Sequence, residues 1–109
     1  MLKNLYSMKD KICLITGGSS GLGSYIAQGF LEAGAKRVYI TARSEEKLTA
    51  KASELSKLSG GECIGITGDL STLDGVNELA SLIKKKESSL DVLVNNAGIG
   101  LGSPIKTMT

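Results

Sequence analysis

The chain has 109 residues, is 41% hydrophobic and 22% charged, and carries a formal net charge of +2. That describes at most one domain, and a folded rather than a disordered one. It also excludes general affinity for nucleic acid or an acidic membrane surface, which needs a strong basic excess.

The opening MLKNLYSMKDK has no apolar core of signal-peptide length, and no apolar run approaches a membrane span. The expectation is a soluble, cytoplasmic protein. From Lys11 to Ala33 the chain reads as a buried strand (Ile12 to Thr16), a glycine-rich turn (Gly17 to Gly23) and a helix (about Ser24 to Ala33). Gly34 closes that helix as a C-terminal glycine does. Ala35 to Arg43 holds the β-formers Val38, Tyr39, Ile40 and Thr41 and predicts a second strand. A helix over Ser44 to Leu58 follows, with an apolar stripe at Leu48, Ala52, Leu55 and Leu58. Ser44 is its predicted cap, with Glu45 and Glu46 in the first turn.

Gly60-Gly61 breaks the helix, and Glu62 to Leu70 predicts a third strand ending near Asp69. The next helix runs from Ser71 to Lys86, opening on a capping box of Ser71 and Asp74. Val76, Leu79, Ala80 and Ile83 are its predicted buried stripe. Its basic end, Lys84-Lys85-Lys86, suits the negative pole of a helix dipole. Leu90 to Asn95 is a fourth strand, leading into Asn95-Asn96-Ala97-Gly98. Residues 99–109 read as a loop entering another helix. The fold class is therefore α/β: a Rossmann-like doubly wound parallel sheet of about four strands, order 3-2-1-4, with flanking helices. A ligand crevice is expected where strands 1 and 4 wind away from each other. Cys13 and Cys63 fall on strands 1 and 3, about 9–10 Å apart across strand 2, which is too far for a disulfide. Both read as small buried hydrophobes. With no histidine and no metal spacing, no metal site is expected.

The glycine turn lacks side chains where phosphates would approach the backbone, and the following helix aims free N–H groups at the same place. It is neither G-x-G-x-x-G nor a Walker A loop. Its position between a strand and a helix still points to a dinucleotide. At the end of strand 2, where an acidic residue would take a ribose 2′-hydroxyl, the chain has Ala42 and Arg43. A guanidinium there pairs with a 2′-phosphate, so Arg43 favours NADP over NAD. Ser44 and Ser19 are candidate helpers.

These pieces resemble the short-chain dehydrogenase/reductase family along nearly the whole chain. TGGSSGLG (16–23) resembles its TGxxxGxG loop. Arg43 resembles the basic residue of its NADP-preferring members, Asp69-Leu70 its adenine-side acidic position, and NNAG (95–98) its hallmark tetrapeptide. The resemblance implies that Gly17, Ser19, Ser20, Gly21, Leu22 and Gly23 line the pyrophosphate and nicotinamide-ribose side. It implies that Asp69 bonds the adenine amino group with Leu70 beside the ring. Asn95, Ala97 and Gly98 would wall the adenosine ribose, with Asn95 also steadying the central strand.

The family's catalytic asparagine, serine, tyrosine and lysine lie downstream of NNAG. Residues 1–109 therefore resemble the cofactor half of such a domain, with 99–109 leading toward the second half. No tyrosine here has a lysine four positions on: Tyr6 is followed by Asp10, Tyr25 by Gly29 and Tyr39 by Arg43. Carbonyl reduction needs a proton donor near the new alkoxide. Catalytic residues are thus expected to be absent and NADP(H) is the expected cofactor. The resemblance implies a parent activity of hydride transfer between NADPH and a carbonyl or alcohol. AQGFLEAGA and GDLS lean toward relatives that reduce 3-oxoacyl compounds. Full-length relatives are implied to be homo-oligomers, with no nucleic-acid or membrane partner. The alternatives are a non-catalytic NADP-binding or interaction module and an inert truncated product. Strand 4 would be an open edge, and marginal stability is expected.

Overall fold

A computed structural model describes residues 8–17, 21–58 and 61–95, together with the backbone of 107–108. The elements are β1 (Ile12–Thr16), α1 (Gly21–Glu32), β2 (Arg37–Ala42), α2 (Glu45–Leu58), β3 (Glu62–Thr67), α3 (Leu73–Lys86), β4 (Val92–Asn95) and β5 (Thr107–Met108). They form one sheet in the order β3-β2-β1-β4-β5. The first four strands are parallel, as strands joined by crossover helices are.

Alternation along the strands divides the core in two. Cys13, Ile15, Val38, Ile40 and Cys63 face α1 and α2, meeting Ala27, Leu31, Leu48, Ala52 and Leu55. Ile12, Leu14, Tyr39 and Ile66 face α3, meeting Leu79 and Ile83. All five residues of β1 are buried, because a central parallel strand is covered on both faces. Cys13 pairs with Val38, and Val38 with Cys63, so the two thiols stand on one row with a strand between them. Both are free and buried.

Several boundaries differ from the sequence reading. The helix expected from Ser24 begins at Gly21, and β3 ends at Thr67 rather than near Asp69. The capping box expected at Ser71 is replaced by Thr72, whose Oγ1 accepts the Gly75 N–H at 3.0 Å. Ser71 is spent instead on Asp69. Leu58, Val76 and Ala80, expected in the buried stripes, are exposed. The residues of α3 buried against the sheet are Leu79 and Ile83, and the apolar stripe is not covered at Val76 or Ala80. The expected open edge of β4 carries the short antiparallel strand β5, with Leu93 opposite Met108 and Val94 opposite Thr107. Residues 107–108 are therefore strand, where a loop running into a helix was expected.

Candidate functional site

Parallel strands deliver their C-terminal ends to one edge. Thr16, Ala42, Thr67 and Asn95 end β1, β2, β3 and β4 there, and Thr16 pairs in register with Asn95. In space the row reads Asp69, Arg43, Gly17, Asn95, following β3-β2-β1-β4. At about 4.8 Å per strand it is roughly 14 Å wide. An extended ligand fits along such a row better than a compact one.

The corner after β1 is built for close backbone approach. Gly17 has φ of 72° and Gly21 φ of 58°, both in the left-handed region that favours glycine. The Gly17 N–H donates to Thr41 Oγ1 at 3.2 Å, tying the start of the turn to β2. Gly23, Ala27 and Leu31 are the buried residues of α1 and sit four apart, so the helix packs on the sheet along one stripe. Its first turn holds no carboxylate. The positive pole of the helix is therefore not neutralised from within, and an anion is favoured there. Leu22 is exposed in that first turn, and Ser24 Oγ donates to the Gly21 carbonyl at 3.1 Å.

Thr16 Oγ1 lies 3.1 Å from Asn95 Oδ1 and 3.4 Å from the Val94 carbonyl, its one proton serving either acceptor. This clamps the tips of β1 and β4 together at the mouth of the crevice. Thr16 and Thr41 are the two buried polar residues among those described. The sequence reading placed Thr16 in the TGxxxGxG-like loop without a role for its side chain, and did not single out Thr41 for the site. A threonine at or near the end of an otherwise apolar strand was the available signal.

Arg43 and Asp69 face each other across the ends of β2 and β3. Ala42 pairs with Thr67, and the Gly68 N–H donates to the Ala42 carbonyl at 3.0 Å. Arg43 Nε then lies 3.6 Å from Asp69 Oδ1, with the two side chains 77% and 53% exposed. The same oxygen accepts the Ser71 hydroxyl at 2.6 Å and the Ser71 N–H at 3.0 Å. These hydrogen bonds, and Arg43 more weakly, hold the Asp69 carboxyl below its ordinary range. Ser44 serves the helix instead, since its Oγ accepts the Lys47 N–H at 3.4 Å and caps α2. Leu70 packs against the cluster of Ile66 and Leu79. With Thr41, Thr67 and Gly68 it lines a small pocket of about 30 Å³.

Of the expected site residues, Gly17, Gly21, Leu22, Gly23, Arg43, Ser44, Asp69, Leu70 and Asn95 are described, and all lie on this edge or in the turns leaving it. Ser19, Ser20, Ala97 and Gly98 lie outside the described residues. Among the described residues no group of three or more His, Cys, Asp or Glu could hold a metal ion. None of the described helices is long and apolar enough to cross a membrane.

Comparison with known proteins gives a consistent answer. The family model for short chain dehydrogenases matches residues 11–109. The 3-oxoacyl-(acyl-carrier-protein) reductase of rhamnolipid biosynthesis from Pseudomonas aeruginosa is 44% identical over 94% of this chain. Glucose 1-dehydrogenase from Gluconobacter oxydans is 45% identical over 86% of it. The chain spans only 39% and 35% of those two relatives' lengths. Among solved structures, the Pseudomonas aeruginosa RhlG/NADP active-site complex superposes with a TM-score of 0.78 at 44% identity, covering 84% of this chain and 36% of that one. L-sorbose reductase from Gluconobacter frateurii, complexed with NADPH and L-sorbose, superposes with a TM-score of 0.79 at 34% identity, covering 84% and 34%.

Proposed function

The chain belongs to the short-chain dehydrogenase family, and from that premise we propose that its C-terminal sheet edge binds NADP(H). It forms the cofactor half of an oxidoreductase that moves hydride between the nicotinamide and a carbonyl or alcohol carbon. The observation that carries this reading is the single row of Asp69, Arg43, Gly17 and Asn95 beside a helix start with no acidic residue. In it the α1 N-terminus and the glycine backbone take the pyrophosphate. Arg43 takes the 2′-phosphate, Asp69 the adenine amino group, and Asn95 the ribose wall while it receives Thr16. By the same reading Ser19, Ser20, Gly21, Leu22 and Gly23 serve the pyrophosphate and nicotinamide-ribose side, Ala97 and Gly98 the adenosine ribose, Leu70 the adenine ring, and Ser44 assists Arg43.

The substrate class favoured is a 3-oxoacyl or related carbonyl compound, supported by the likeness to the Pseudomonas reductase. Bound NADPH supplies the hydride. Residues 1–109 supply binding and orientation, and no proton donor of the Tyr-x-x-x-Lys kind. Tyr39 is committed elsewhere, donating to Glu87 at the opposite edge of the sheet. The cytoplasm is the location this reading favours. Reading the gene beyond the codon for Thr109 tests the enzymatic part of this proposal, which requires a Tyr-x-x-x-Lys in frame. If there is none, the non-catalytic NADP-binding module is the better reading.

Titration of the chain with NADPH and NADH tests the cofactor role directly. Arg43→Ala should weaken NADPH about tenfold and leave NADH nearly unchanged, the loss expected for one charge-assisted phosphate contact. Equal affinity for the two cofactors, unmoved by that substitution, overturns the 2′-phosphate assignment.

A further inference from the structure

We propose that Asp69 is the resident counter-charge of Arg43 and thereby sets how strongly the chain discriminates NADP from NAD. The inference rests on the cofactor reading above and adds to it a control on selectivity. Its basis is the contrast between the two partners of the ion pair.

Asp69 is held from several sides. Its carboxylate accepts two hydrogen bonds from Ser71, at 2.6 and 3.0 Å. Its carbonyl accepts the Thr72 hydroxyl at 3.3 Å. Gly75 packs so closely behind it that a Cβ there would fall 1.8 Å from the Asp69 carbonyl oxygen. Arg43, by contrast, has 77% of its side chain in solvent and meets Asp69 through Nε alone at 3.6 Å. A fixed negative charge thus stands beside a movable positive one.

A 2′-phosphate arriving at Arg43 must compete with that carboxylate for the guanidinium. It also comes within a Debye length of a like charge, about 8 Å at physiological salt. Asp69 therefore weakens phosphate capture relative to an unopposed arginine. NAD carries no 2′-phosphate and does not feel this term. The adenine amino group is common to both cofactors, so any hydrogen bond Asp69 makes to it cancels in the ratio of their affinities.

The test measures dissociation constants of NADP+ and NAD+ for the chain, for Arg43→Ala, for Asp69→Asn and for the double variant, at low and high salt. Asp69→Asn should raise the NAD-to-NADP ratio of dissociation constants about three- to tenfold at low salt, the scale of one removed like charge at this range. The gain should shrink at high salt and shrink in the Arg43→Ala background. A ratio that stays within about twofold or falls, while Arg43→Ala keeps its effect, overturns the inference and leaves the cofactor reading standing. A ratio indifferent to Arg43→Ala, or no binding of either cofactor by the unaltered chain, overturns the cofactor reading itself. Asp69→Ala is the second variant should Asp69→Asn fail to fold or bind. It also removes the charge and should move the ratio in the same direction, and no movement there also overturns the inference.

Discussion

Glu87→Ala probes the polar clamp at the base of the sheet. Glu87 follows α3, and its carboxylate, only 7% exposed, accepts from Arg37 Nε at 2.5 Å and Nη2 at 3.1 Å. It also accepts the Tyr39 hydroxyl at 2.5 Å, and Tyr39 is 1% exposed. Removing the carboxylate leaves that hydroxyl without this acceptor in a buried place. Orphaning a buried donor costs about 1–3 kcal/mol. Tyr39→Phe removes the donor with its requirement and should cost about 1 kcal/mol. The two changes must then be sub-additive: in the Tyr39→Phe background, Glu87→Ala should cost about 1 kcal/mol less than it does alone. Urea unfolding followed by far-UV circular dichroism measures this, with trimethylamine N-oxide added to raise all the curves together. The acid limb gives an independent reading. Hydrogen bonds from Arg37 hold the Glu87 carboxyl below its ordinary 4.5. A depressed folded value means the stabilisation is complete above the unfolded value and lost as pH falls through the folded one. Glu87→Ala should therefore flatten the decline below about pH 4.5. Strict additivity with Tyr39→Phe, together with an unchanged acid limb, refutes the clamp.

Other positions give equally direct tests. Gly65→Ala places a Cβ 2.7 Å from Leu48 Cγ, and should cost about 1–3 kcal/mol by overpacking the α2–β3 contact; an unchanged urea midpoint argues against that contact. Gly75→Ala must displace the turn from Asp69 to Gly75, because its Cβ would lie 1.8 Å from the Asp69 carbonyl oxygen. It should weaken NADPH binding while helix content by circular dichroism is kept, and full-strength binding counts against a site role for that turn. Burial pushes the Cys13 and Cys63 thiols up to about 12, so neither is a thiolate at neutral pH. An aromatic disulfide reagent should label them only as fast as the chain opens, and rapid labelling in native buffer contradicts their buried placement.

Strand and helix order was readable because each element carries its own period. Ile12–Thr16 is apolar at nearly every position and became the central strand, covered on both faces. Leu48, Ala52 and Leu55 fall on one helical face, and all three are buried. The errors in the buried stripes have one physical origin. Apolarity marks a face that could be buried, whereas burial needs something opposite it. Val76 and Ala80 continue the stripe of α3, yet the sheet meets that helix only along Leu79 and Ile83. Leu58 sits about one turn past Leu55, the last buried residue of α2. The capping error at Ser71 is of a different kind. Ser71 and Thr72 are both good caps, and the choice between them depended on Asp69, which claimed the Ser71 hydroxyl.

The candidate site divides the same way. Its glycines were visible in the sequence because left-handed backbone at Gly17 and Gly21 leaves few other residue types possible. Arg43 and Asp69 were visible as charges at strand ends. Their pairing was not, since the whole of α2 and β3 separates them along the chain and only the register of Ala42 with Thr67 closes the gap. The hydroxyl partners of Thr16 and Thr41 were hidden for the same reason: each acts on a residue beyond its own strand, Asn95 and the turn at Gly17. The sequence by itself determined the parallel α/β layer and the kind of ligand its edge invites, because periodicity, glycine and charge are local. The partners of those charges and hydroxyls were decided only by tertiary structure, because a hydrogen bond or ion pair depends on distance in space.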